Sequence, residues 1–104
     1  MTFDTHPYSV LVFWVDTILL EMRLPVSLDS SKRTCFVALP NVAIRALFGQ
    51  RRPSGVVALK MRWGGKTAYV GFAGHMSSRA VVEIPTAFAQ TIGLADDIQA
   101  TEGI

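Results

Sequence analysis

One cysteine in 104 residues excludes an internal disulfide, and with it the stapled scaffolds of small secreted proteins. A reducing compartment suits such a chain. Charged residues make up only 17% of the sequence and apolar residues half of it, a balance that excludes a disordered tail. No apolar run approaches the roughly 20 residues a membrane helix needs. The most apolar stretch, Val10–Leu20, is eleven residues long and contains Asp16. It does not read as a secretory signal, because no Lys or Arg precedes Arg23 and Asp4 stands near the start. A buried strand or an appended hydrophobic segment is the expected identity. The length suits one domain and is too short for a catalytic ATPase or a doubly wound dinucleotide fold.

Acidic residues are missing altogether from the middle of the chain. Residues 1–31 carry one base and four acids, residues 32–82 nine bases and no acid, and residues 83–104 four acids and no base. A formal net charge of +2 therefore hides a basic block between acidic ends. Such a block attracts phosphates, whether of nucleic acid or of lipid headgroups. The competing reading scatters these bases over a solvated surface, since clustering along the chain does not guarantee a patch in space.

What the chain does contain is a repeat. Phe36-Val37-Ala38-Leu39-Pro40 and Val81-Val82-Glu83-Ile84-Pro85 match at a spacing of 45 residues. Each is followed by a short helical pattern, Asn41–Phe48 in the first copy and Thr86–Ile92 in the second. Apolar residues fall three, four and seven positions after each proline, which gives one buried helical face. Proline suits the first turn because its missing N–H would be unpaired there. Gly49 and Gly93 are expected to end the two helices.

Between the copies, Val56–Trp63 and Lys66–Phe72 read as a hairpin joined by Gly64-Gly65. Met22–Leu28 reads as a strand before the first copy. At the end of the chain, Ala95-Asp96-Asp97 reads as a turn and Ile98–Thr101 as a last strand. The sum is a mainly β fold with two short helices in two related halves. Closure into a pseudo-twofold barrel is the economical arrangement, because it removes exposed sheet edges. Residues 1–21 are set apart as an apolar N-terminal extension and residues 22–104 form the barrel domain.

Chemical motifs are few. Gly64-Gly65-Lys66-Thr67 ends like a phosphate-binding loop, but Lys60 stands where the first glycine is required and Ala68–Phe72 reads as a strand. Cys35 with His75 as base has the composition of a cysteine hydrolase pair, yet Cys35 is expected to be a small buried hydrophobe and His75 to face water. The two histidines and the cysteine lie 29 or more residues apart and lack metal-ligand spacing. Asp96 and Asp97 are neighbours whose carboxylates diverge, which suits a turn or cap better than acid–base work. No catalytic residue, cofactor or metal is therefore expected. The aromatics Trp14, Trp63, Tyr69 and Phe72 could stack on bases beside Arg62 and Lys66, but alternation along strands sends at least half of them inward.

Two families share the strand–proline–helix–glycine pattern. Val82-Glu83-Ile84-Pro85 through Ile92-Gly93-Leu94-Ala95-Asp96-Asp97 resembles the subunit of the swapped-hairpin transition-state regulators of bacteria, which bind DNA as dimers. A longer resemblance covers residues 22–104: Cys35 to Pro40, the hairpin through Trp63 and Tyr69, the loop Gly71-Phe72-Ala73-Gly74-His75, and Val82-Glu83-Ile84 leading to Ile92-Gly93-Leu94. These residues resemble the N-terminal domains of the peroxin-1 family of AAA ATPases, which serve peroxisome biogenesis.

That resemblance implies a double-psi β-barrel, normally followed by a second small β-domain that has no counterpart here. It implies a non-catalytic docking module, binding an adaptor protein or acidic phospholipid headgroups, with ATPase modules elsewhere in the parent chain. It also implies a cytoplasmic site of action, peripheral at the peroxisomal membrane. The expected partner or phosphate-binding surface comprises Arg45, Arg51, Arg52, Arg62, Lys66, His75 and Arg79. The resemblance to the regulators implies nucleic acid as the alternative partner.

Overall fold

The computed structural model describes residues 8–14, 17–49 and 54–102. Eight elements follow in order: β1 (Ser9–Trp14), β2 (Thr17–Asp29), α1 (Asn41–Phe48), β3 (Val57–Trp63), β4 (Lys66–Phe72), β5 (Val82–Pro85), α2 (Thr86–Thr91) and α3 (Leu94–Glu102). The strands form one curled sheet in the order β4-β3-β1-β2-β5, a half-barrel. Neighbours among β1 to β4 are antiparallel, and β5 runs parallel to β2.

The apolar run Val10–Leu20 divides between two strands. Val10 and Val12 point into the core and are fully buried, while Leu11 and Phe13 occupy the opposite face, the period-two alternation of a strand. The segment set apart in sequence as an extension thus supplies β1, which lies between β3 and β2 at the centre of the sheet.

Gly64-Gly65 makes the expected two-residue turn, with φ of 50° and 78°. Positive φ at both positions matches the right-handed twist of the flanking strands and is open to glycine at little cost. Trp63 pairs with Lys66 across it, and the ladder continues to Val57 opposite Phe72.

The extended stretch Cys35–Leu39 lies between the two edges of the curl. The Val37 N–H donates to the Gly71 carbonyl (2.9 Å) and the Gly71 N–H to the Cys35 carbonyl (3.0 Å), which ties it to β4. Ala38 and Glu83 exchange N–H···O bonds of 3.0 Å in both directions, which ties it to β5. These are isolated bridges, so the first copy of the repeat is less regular than the second, whose counterpart is the strand β5.

Each proline sits one residue before its helix in an extended conformation, at φ −69° for Pro40 and −56° for Pro85. Ala43, Ile44, Leu47 and Phe48 form the buried face of α1. Burial of each of the three larger side chains contributes about 1.5–3 kcal/mol. The Phe48 ring stacks on Phe72 with centroids 5.6 Å apart. Gly49, at φ 68°, ends the helix with its N–H on the Arg45 carbonyl (2.9 Å).

The expected turn and strand over 95–101 are instead the helix α3, so there are three helices rather than two. Leu94 and Ile98, one helical turn apart, reach the core, with Ala95 packed beside them. Asp96 and Asp97 fall in the first turn, where negative charge complements the helix dipole. The same two aspartates read as turn formers in sequence; a buried apolar stripe decides for the helix. A second correction concerns Cys35, which is exposed rather than buried. Phe36 beside it is 38% exposed, so the buried side chains of this stretch are Val37 and Leu39.

Candidate functional site

Alternation and register build a compact basic surface on the outer face of the sheet. In β3, Leu59, Met61 and Trp63 are buried, which turns Lys60 and Arg62 outward. Two transverse rows result. Arg23, Leu11, Arg62 and Thr67 lie side by side across β2, β1, β3 and β4. Glu21, Phe13, Lys60 and Tyr69 form the next row.

Phe13 is only 8% exposed, although it lies outside the core cluster. Two cations cover it: Lys60 Nζ stands 5.6 Å from the ring centroid and Arg62 Cζ 5.7 Å. Each is attracted by the electron-rich face of the ring, which holds two like charges in one neighbourhood. Arg23 is steadied by a hydrogen bond from Nη1 to Ser9 Oγ (3.2 Å). Between the arginines and the Gly64-Gly65 turn is a hollow of about 170 Å³, also bordered by Ser9 and Leu11.

Among the described residues expected to form a binding surface, Arg62 is the one on this face. Lys66 is exposed at the start of β4, and its Nζ makes a 2.9 Å ion pair with Asp97 Oδ2. The same oxygen accepts the Trp63 indole N–H at 2.8 Å. Hydrogen bonding from Lys66 and Trp63 holds the Asp97 carboxyl below the usual aspartate range, and the bond to Asp97 raises Lys66. Burial, followed by the Asp97 charge, pushes the nearby Tyr8 hydroxyl up. These residues fasten α3 to the β3–β4 hairpin.

Arg45 lies on the exposed side of α1 in its last turn. Arg79 is exposed and donates from Nη2 to Ser27 Oγ (3.2 Å). His75 is exposed and borders a separate pocket of about 140 Å³ with Asp29, Lys32, Phe36 and Glu83. Its mixed charge suits no single ion. Arg51 and Arg52 lie outside the described residues.

Arg23 and Lys60 are the members of the basic face that sequence reasoning did not single out. Alternation along β3 could have paired Lys60 with Arg62. Arg23 stands in the acidic N-terminal third, and only the insertion of β1 between β2 and β3 brings it alongside. Among the aromatics, Trp63 and Phe72 are buried and Tyr69 is 61% exposed. Among the described residues no group of three His, Cys, Asp or Glu side chains could hold a metal ion, and no helix is long and apolar enough to cross a membrane. Comparison with protein-family models, with curated proteins and with solved structures finds no match.

Proposed function

We propose that this chain is a non-catalytic docking module that attaches to acidic membrane surfaces through the outer face of its sheet. The observation that carries the reading is the grouping of Arg23, Lys60 and Arg62 around Leu11 and Phe13, with the exposed Tyr69 in the same row as Lys60. A basic surface with an amphipathic aromatic at its margin suits the headgroup region of a bilayer. Three cations contribute roughly 1 kcal/mol each near an anionic leaflet, and the exposed Glu21 in the row of Phe13 offsets part of that. That is a weak attachment, suited to one contact among several in a larger assembly.

The architecture is read as a double-psi barrel of the peroxin-1-like kind. Support comes from the pseudo-twofold pairing of the repeat and from each half's third segment running parallel to the other half's hairpin, β5 along β2 and Phe36 along Gly71. On that resemblance the membrane is the peroxisomal one and the parent chain carries the ATPase modules.

Vesicle flotation tests the proposal. The protein is expected to float with phosphatidylcholine vesicles containing phosphatidylserine, to remain below pure phosphatidylcholine, and to be released by salt. Substitution of Lys60 and Arg62 by Gln together should abolish flotation. Failure to float, with tight duplex-DNA binding that weakens at a slope of about −0.9 per phosphate in log salt, would overturn it in favour of nucleic acid.

A further inference from the structure

We infer that the hollow between Arg23 and Arg62 is a binding site for a phosphate monoester. The inference rests on the same surface as the docking reading and adds, to its general attraction for acidic lipid, one group that the surface binds individually. Arg23 and Arg62 both stand opposite Leu11, one on each side, so their Cα atoms are separated by two strand spacings, about 10 Å in all. A tetrahedral oxyanion seated over Leu11 would be flanked by Arg23 and by Arg62, whose exposed guanidinium turns from the Phe13 ring to meet it, each arginine making bonds of about 2.8 Å.

Charge favours an anion here. No acidic residue lines the hollow, and among the described residues neither arginine has an ion-pair partner. The nearest acid by register is Glu21, one row away beside Phe13. Lys60 and Arg62 crowd one ring, and an anion in the hollow relieves that repulsion. The floor near Arg62 is the Gly64-Gly65 turn, which has no side chains to fill the space.

Charge selects the monoester. Two guanidinium groups with Lys60 close by present three positive charges, whereas a carboxylate or a phosphodiester brings only one negative charge to them. A monoester presents three terminal oxygens and a charge near −2 at neutral pH. Its ester oxygen then points out of the hollow, toward whatever carries the phosphate. That carrier is either a lipid whose headgroup ends in a monoester or a small soluble phosphate.

The test is a titration of the ¹⁵N-labelled chain with phenyl phosphate, using methyl phenyl phosphate as the diester control. Saturable shifts are expected at the amides of Gly64 and Gly65 and at the Nε–H groups of Arg23 and Arg62, with the diester at least tenfold weaker. Arg23→Gln and Arg62→Gln should each weaken the monoester about tenfold, and Arg62→Lys, which keeps charge without the fork, should fall between. Both arginines are exposed, and unchanged melting of the variants confirms that they fold. Equal affinity for monoester and diester, or binding untouched by the double Gln variant, would sink the inference. Vesicles containing phosphatidic acid separate the carriers. Retention lost in Arg62→Gln assigns the lipid, whereas phenyl phosphate binding without retention assigns a soluble phosphate and removes the docking reading alone.

Discussion

Ala38 and Glu83 exchange both of their backbone hydrogen bonds, and they occupy the same position in the two copies of the 45-residue repeat. The two copies of the repeat thus meet each other directly, antiparallel at this pair. Hairpin β1–β2 meets hairpin β3–β4 through the central β1–β3 pairing. The helices α1 and α2 follow Pro40 and Pro85.

The repeat predicts matched energetics at matched positions. Leu39 and Ile84 precede the two prolines and are both fully buried. Leu39→Ala and Ile84→Ala should each destabilise by about 2–5 kcal/mol and lie close to each other within that range. Val42→Ala, at a residue 53% exposed, should change stability by no more than about 0.5 kcal/mol. Urea denaturation of the three variants checks the pattern.

Gly71 is required by contact with Phe36. A Cβ at residue 71 would overlap Phe36 Cδ1 and Cε1, at the point where the crossing segment meets β4. Gly71→Ala should cost about 1–3 kcal/mol through overpacking. Adding Phe36→Leu should recover most of that loss. A double-mutant cycle in denaturant gives the coupling, and additive effects would contradict the contact.

Acid should loosen α3 first. The Asp97 carboxyl is held below its ordinary range by Lys66 and then by Trp63, so its contribution to stability is complete above the unfolded aspartate pKa. It disappears as pH falls through the lower folded value, in a window below roughly pH 4. Asp29, lowered by hydrogen bonds from Ser31, titrates in the same direction. The indole N–H resonance of Trp63 should shift across that window in the native protein. In Asp97→Asn it should stay constant, and the variant should be less stable than the native protein at neutral pH.

The terminal helix can be tested against the strand it replaces. Gln99→Pro would remove an intrahelical hydrogen bond and press its ring on the carbonyl of Ala95, at a cost of about 3 kcal/mol or more. Gln99→Ala should be neutral or slightly stabilising, because Ala is the stronger helix former. A circular dichroism melt distinguishes the outcomes. An exposed position on an edge strand would tolerate proline far better.

The local features were legible in the sequence because their causes are local. Gly64-Gly65 specified its turn through backbone freedom, and the spacing of Ala43, Ile44 and Leu47 specified the buried face of α1. Long-range features were not. Nothing within Val10–Leu20 states that β1 will lie between β2 and β3, because that position depends on pairings with residues tens of positions away. Arg23 joined the basic face for the same reason. The helix α3 was missed because Asp96-Asp97 is equally a turn and a first helical turn. The packing of Leu94 and Ile98 against distant strands settles the matter.

The crossing segments have a consequence for how the chain folds. Cys35–Leu39 belongs to the first half yet bonds to β4 and β5, and β5 belongs to the second half yet runs along β2. Neither half therefore completes its own hydrogen bonding or encloses its own interior. Such interlocking leaves no stable half-folded species, so the two halves acquire their structure together, in one cooperative step paced by the late closure of distant contacts.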